Sequence, residues 1–338
     1  MATADDDVTT AVRLEPQSYP WQQANWATLT RDLARLPHAL LLHGQAGLGK
    51  NAFAQRLARW LLCQDRRGAD ACETCRGCLL FRVGNHPDLL LIEPEEEGKG
   101  ILVDPVRGVV DFLSLTPHLA AYKIVIITPA EAMNINAANS LLKILEEPPA
   151  GSLLILVASH LARVAVTIRS RCTRVGFSAP ASSEALSWLR AQAVTPPVAQ
   201  AALTFAGGAP LAALASASSG AIADGDKLLT DLTTLARRAG DPVVCAERWK
   251  KLGTAASLIW LQRFLIEQLR SQVSASDQVR IELSMPTSGK TLSIMIIDLF
   301  NFIDMVSIAI RQLGTGIDET LMLEELLIRW SEIILPAS

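Results

Sequence analysis

The sequence predicts an α/β protein: a parallel sheet covered by helices, followed by a helical C-terminal half. Three observations predict it. Short apolar runs that end in glycine or proline alternate with helical periodicity through the first half of the chain. A glycine-rich loop joins the first of these runs to the first long helix. Beyond Ser183 the strand signals fade and apolar residues recur at helical spacing.

Taken in order, "HALLLHG" is an apolar run closed by glycine and predicts a strand. "AFAQRLARWLL" has helical apolar spacing. "PDLLLIEP" predicts a second strand between prolines. "VDPVRGVVDFLSL" predicts a helix, with Asp104 as its N-cap and Pro105 at its first position. "YKIVIITP" is a third strand, "NINAANSLLKILEEPP" a helix halted by two prolines, and "GSLLILVAS" a fourth strand. Helices follow at "SEALSWLRAQA", "VAQAALTFAGG" and "PLAALASA". The stretch "SSGAIADGD" predicts a loop between a small helical segment and a larger one. The remainder reads as helix, broken at "SMPTSGK" and "LGTGID".

The chain has 338 residues, half of them hydrophobic, which suffices for more than one buried core. A formal net charge of -3 gives no global electrostatic reason to bind DNA alone. The N-terminus "MATADDDVTT" lacks the basic and apolar regions of a secretory leader, and no uninterrupted apolar run has the ~20 residues of a membrane span. The expected location is the cytoplasm, where thiolate chemistry is a better reading of six cysteines than disulfides.

"GQAGLGKN" is nearly a phosphate-binding loop. Gly44, Gly47 and Gly49 free backbone N–H groups to surround a phosphate, and Lys50 is placed to reach it. The next position normally carries a hydroxyl for Mg²⁺, but here it is Asn51. Whether this loop holds ATP or ADP stays open; an inherited turn that caps a helix is the other reading. Hydrolysis also needs carboxylates at the end of a neighbouring strand. Thr128 and Pro129 stand there, and neither can hold Mg²⁺ through a carboxylate or act as a general base. Glu131, two residues on, is expected to be a solvated loop charge.

Cys63, Cys72, Cys75 and Cys78 follow C-x8-C-x2-C-x2-C. Short x2 steps let thiolates converge on one ion, and four of them make a closed structural Zn²⁺ site. An iron–sulfur cluster is the rival. His86 is a further contender, but four thiolates already fill the shell. Cys172 and Cys245 stand alone and are expected to be packing residues.

Together, "HALLLHGQAGLGK", the four-cysteine insertion, "HPDLLLIEPE", "NSLLKILEEPP" and "TIRSRC" closely resemble the bacterial clamp-loader AAA+ subunits of DNA polymerase III, over roughly residues 19 to 180. The resemblance implies a RecA-like AAA+ domain with its zinc module (1–178, cysteines within 63–78), a small helical lid (179–222) and an all-α collar for oligomerisation (223–338). It also implies assembly of delta and gamma/tau subunits into a five-subunit arc that loads the β sliding clamp on primed DNA. Within the family this chain resembles the branch without ATPase chemistry. The sensor arginine of the second domain is replaced by Leu211, and the opening "YPWQ" fits the same branch. What survives is Arg171 in "SRC": the residues alone favour an arginine paired with a carboxylate at the domain edge, whereas the resemblance implies an arginine finger for a neighbouring subunit's ATP. Arg169 is left without a role. Lys143, Glu146 and Glu147 are expected on a subunit-facing or DNA-facing surface. The other function classes are an active ATPase with tolerated substitutions and a zinc-stabilised scaffold without catalytic contribution.

Overall fold

The structure is a computed structural model and describes residues 17–96, 98–218, 221–273, 280–285, 290–313 and 316–335. The chain forms two compact units, 1–180 and 181–338.

In the first unit α1 (Gln23–Thr30) precedes β1 (Ala39–His43), which feeds through the glycine loop into α2 (Lys50–Leu62). Next come α3 (Arg76–Arg82), β2 (Leu89–Ile92), α4 (Val103–Ser114), β3 (Lys123–Ile127), α5 (Ile135–Ser140), α6 (Leu142–Glu146), β4 (Ser152–Ala158), α7 (Val166–Arg169) and β5 (Thr173–Gly176). The sheet order is β2-β3-β4-β1-β5, and every pairing is parallel. This is the RecA-like AAA+ sheet expected from the sequence. Central strands are buried on both faces, which explains runs such as "LLILVA" with no alternation. Leu41, Val125, Ile127, Leu154 and Leu156 share one core with Val106, Val109, Leu113, Ile144, Leu145 and Ile168 of the helices on that side. Alternate strand residues face the other way, and α2 packs against β1, β3 and β4.

Three local readings change. "TRVG" is a fifth strand at the sheet edge, too short and too polar to signal itself. Helix α4 starts two residues early: Leu102 is its N-cap, and Asp104 lies in the first turn, where its charge favours the helix N-terminus. The "NSLLKILEEPP" helix divides at Leu141, whose torsions stay helical (φ -82, ψ -18).

The second unit contains α8 (Ser182–Ala191), α9 (Pro196–Phe205), α10 (Pro210–Ser218), α11 (Ala221–Ala236), α12 (Pro242–Leu252), α13 (Thr254–Val273), β6 (Arg280–Met285), β7 (Lys290–Met295), α14 (Ile296–Gln312), α15 (Glu319–Ile333) and β8 (Ile334–Leu335). Alanines let α8, α9 and α10 approach closely around Ala185, Leu189, Ala199, Ala202, Leu203 and Ala213. A larger core joins the later helices through Leu232, Trp249, Leu261, Phe302, Leu327 and Trp330. The buried indole of Trp330 is satisfied by donating to the Leu232 carbonyl at 3.0 Å. Among the described residues, no helix by itself is long and apolar enough to cross a membrane.

Two readings of this half also change. Helix α11 runs through most of "SSGAIADGD", of which residues 219 and 220 lie outside the described residues. The stretch around "SMPTSGK" is not a simple helix break: β6 and β7 pair antiparallel there, with β8 added to β7. "RIELSM" alternates polar and apolar residues, as does the "TLSI" of "KTLSIM", on either side of a Pro/Gly turn sequence, which is a hairpin signal. The turn itself, 286–289, lies outside the described residues.

Candidate functional site

The phosphate loop connects β1 to α2. Gly44 sits at φ +147, and a Cβ there would lie 2.1 Å from the Phe177 carbonyl oxygen, so no side chain fits where the chain leaves β5. Gly47 and Gly49 both have φ +81, a region that favours glycine. Gly49 is the N-cap of α2, so Lys50 stands in its first turn. Lys50 is 5% exposed, and its ammonium donates to the Gln45 carbonyl at 2.8 Å and to Ser159 Oγ at 3.3 Å. Burial lowers its pKa to about 8, opposed by the Glu131 carboxylate.

The N-terminal "YPWQ" clamps this loop from outside. Trp21 Nε1 donates to the Leu48 carbonyl at 3.0 Å, and Gln22 Nε2 to the carbonyls of Leu48 at 2.9 Å and Gly49 at 3.0 Å. Tyr19 stacks on Trp21 and fills the space beside Gly49.

The torsions and the lysine fit a phosphate. The place for a metal differs. Asn51 Oδ1 is buried without a hydrogen-bond partner among the described residues, and Thr128–Pro129 directly follow β3. Glu131 is not the solvated charge expected from the sequence. Its side chain is only 10% exposed, and Oε1 accepts the backbone N–H groups of Ser159 at 2.8 Å and His160 at 3.0 Å. The carboxylate therefore caps the end of β4, one strand over from its own. Nothing in the local sequence signals this, because the N–H groups come from 28 and 29 residues away. A cleft of about 660 Å³ opens beyond the ends of β2, β3 and β4, lined among others by Glu93, Lys99, Thr128, Glu131, His160 and Arg163.

The four cysteines come together as their spacing predicts. Their sulfurs all lie within 4.8 Å of one another, and Cys63 Sγ is 3.9 Å from Cys75 Sγ. That is far beyond a disulfide bond of about 2.05 Å. It is close to the edge of about 3.8 Å expected for a tetrahedron with Zn–S distances of 2.3 Å. Backbone N–H groups of Cys72, Cys75 and Cys78 donate to the sulfurs of Cys63, Cys72 and Cys75 at 3.3, 3.3 and 3.4 Å. Such bonds favour thiolates, and the Cys75 N–H is the main reason the Cys72 pKa falls to about 6. The donor set fits a metal ion, zinc included. Gly77 makes the convergence possible: a Cβ there would stand 2.7 Å from the Leu62 carbonyl, where α3 meets the end of α2.

His86 is not part of that cluster. Its Nδ1 accepts the Asp88 N–H at 3.1 Å, which leaves the ring proton on Nε2, buried without a partner among the described residues. Cys172 and Cys245 are buried among core side chains, and burial pushes the Cys172 thiol up to about 11.

Arg171 lies between the end of α7 and the start of β5, with its side chain 36% exposed. Nε and Nη2 donate to Glu146 Oε1 at 2.9 and 2.5 Å, while Nη1 donates to the Thr167 carbonyl at 3.2 Å and Ser170 Oγ at 3.3 Å. Glu146 is the last residue of α6 and is 52% exposed. Sequence reading places both residues on an outward surface but does not pair them. Arg169 Nε is buried and has no hydrogen-bond partner among the described residues. Lys143 and Glu147 are exposed, and Leu211 is half-buried on α10.

Comparison with known proteins adds the family. The family described as "DNA polymerase III, delta subunit" matches residues 21–181, and "DNA polymerase III, delta subunit, C terminal" matches 221–332. DNA polymerase III subunit delta' of Pseudomonas aeruginosa is 38% identical over 263 residues, 77% of this chain and 80% of its own. The subunit of the same name from Escherichia coli (strain K12) is 30% identical over 333 residues, 94% and 96% of the two chains. Among solved structures, a DNA polymerase III gamma subunit-related protein from Thermotoga maritima matches at TM-score 0.45 and 19% identity, covering 91% of this chain and 99% of that one.

Proposed function

This chain belongs to the DNA polymerase III delta prime family, and on that basis we propose that it serves a clamp loader as a non-hydrolysing AAA+ subunit that lends Arg171 to a neighbouring ATPase subunit. The observation that carries the reading is an asymmetry in the first unit. The end of β3 offers Thr128 and Pro129 where hydrolysis needs carboxylates, while the edge beside β5 presents a guanidinium.

Energetics allow the transfer. An exposed Arg–carboxylate pair is worth about 0–1 kcal/mol. Hydrogen bonds from a guanidinium to charged phosphate oxygens in a water-poor interface contribute about 1.5–3 kcal/mol each. Arg171 therefore gains by exchanging Glu146 for a phosphate that a partner brings to it. Its planar, permanently charged group spreads over several oxygens at once, as stabilising a phosphoryl-transfer transition state requires.

The partners in this reading are gamma/tau and delta subunits in a five-subunit arc, the β sliding clamp, and primed DNA within the assembly, all in the cytoplasm. Net charge near zero fits a subunit whose DNA affinity arises only in company. The domain boundaries in this reading are 1–178, 179–222 and 223–338. The two separate apolar cores of the second unit support a lid and a collar. Cys63, Cys72, Cys75 and Cys78 would hold Zn²⁺, which in a closed thiolate site supplies folding stability rather than catalysis.

The test is reconstitution with the ATPase and delta subunits. Arg171→Ala should slow hydrolysis at one class of ATP site, and the purified chain alone should not turn over ATP. Turnover by the chain alone, abolished by Lys50→Ala, would replace this reading with an active ATPase.

A further inference from the structure

We propose that Glu146 is a latch on Arg171: it holds the guanidinium in the free chain by the edge that grips a phosphate, and its release is a step in engaging the neighbour's ATP. The inference rests on the arginine-finger reading above and adds a positioning residue to it.

A guanidinium has five N–H donors. Nε and Nη2, the edge that pairs bidentately with oxyanions, both point at Glu146 Oε1. Nη1 is engaged by the Thr167 carbonyl and Ser170 Oγ. Four donor contacts are thus made inside the chain, and no bidentate edge is left for a phosphate. Arg171 cannot grip phosphate oxygens by that edge while Glu146 holds it, because the two anions compete for the same N–H groups.

Glu146 also stands where helix stability alone would not put it. It and Glu147 end α6, where unsatisfied carbonyls disfavour negative charge. Pro148 and Pro149 then keep the helix from continuing. The pair is exposed on both sides, so solvent keeps it weak. A latch of this strength holds the arginine in the free chain and yields to a nucleotide carrying several negative charges.

Breaking a structural contact and breaking a latch move the rate in different directions. Removing a merely structural pair lowers the rate or leaves it unchanged. Removing a latch raises the rate, through Arg171 alone. The experiment measures ATP turnover at saturating ATP by the reconstituted assembly, with this chain as wild type, Glu146→Gln, Arg171→Ala and the double variant. Glu146→Gln keeps shape and removes charge. The latch predicts turnover about two- to fivefold above wild type for Glu146→Gln, the range that loss of an exposed pair allows. It also predicts that the double variant matches Arg171→Ala. A Glu146→Gln rate equal to or below wild type, with Arg171→Ala clearly slower, would overturn the latch and leave the finger standing. An Arg171→Ala rate equal to wild type would instead remove the finger, and the latch with it. A second readout uses the full free chain. The Arg171 Nε–H resonance in ¹H–¹⁵N spectra should be protected from exchange in wild type and lose that protection in Glu146→Gln; identical protection in both would also overturn the latch.

Discussion

Asp88 shows how much one carboxylate can organise. It is fully buried and accepts the N–H groups of His118, Leu119 and Ala120 at 2.6, 2.7 and 3.1 Å, with the Lys123 ammonium 3.6 Å away. Burial alone would raise its pKa, but the three donors and the lysine outweigh it and hold the carboxyl below its ordinary value of 3.8. A depressed carboxylate contributes its full stability above the ordinary value and loses it as pH falls through the folded value. Asp88→Ala should therefore cost about 3–5 kcal/mol at neutral pH, measured by urea unfolding, because a buried ammonium and three N–H groups lose their partner. The variant should also lose part of the wild-type decline in stability below pH 3.8. None of this was legible in "HPDLLL", since the three donors come from a loop 30 residues on. The cysteines were legible, because x2 steps bring ligands together within one short segment. Protein purified without added metal should carry about one zinc per chain, and Cys75→Ser should lose it together with thermal stability. A metal-free wild type, or iron in place of zinc, would count against that.

At the level of elements, glycine was the residue most easily misread. "SSGAIADGD" looks like a loop, yet Gly225 lies inside α11. A Cβ at Gly225 would stand 2.7 Å from Trp260 Nε1, on an indole already stacked against Phe264. The glycine serves the contact between α11 and α13 rather than a chain break. Two effects then compete in Gly225→Ala: helix propensity favours alanine by about 1 kcal/mol, and overpacking costs about 1–3 kcal/mol. Packing against a rigid ring should win, so denaturant unfolding should show net destabilisation; a more stable variant would mean that the α11–α13 contact yields. The hairpin of β6 and β7 escaped the helical reading because period 2 and period 3.6 are hard to separate over six residues. The parallel strands were easier. Strands buried on both faces are short unbroken apolar runs, and only the polar edge strand β5 went unseen.

For the whole molecule, the sequence conveyed the sheet, the glycine loop and the family, but not how the remaining charges are used. Glu131 stands close to where a catalytic carboxylate belongs and caps β4 instead; Arg171 stands at the edge and is held by Glu146. Both depend on atoms brought together by the folded sheet, which no local pattern encodes. We propose that this chain contributes to another subunit's ATP hydrolysis and performs none of its own. The most direct measurement is single-turnover ATP hydrolysis by the reconstituted assembly, comparing wild type with Arg171→Ala. One class of site should slow by about 10³-fold or more in the variant, as loss of such fingers does in other phosphoryl-transfer systems, while the remaining sites keep their rate. Superimposable time courses for the two assemblies would contradict it.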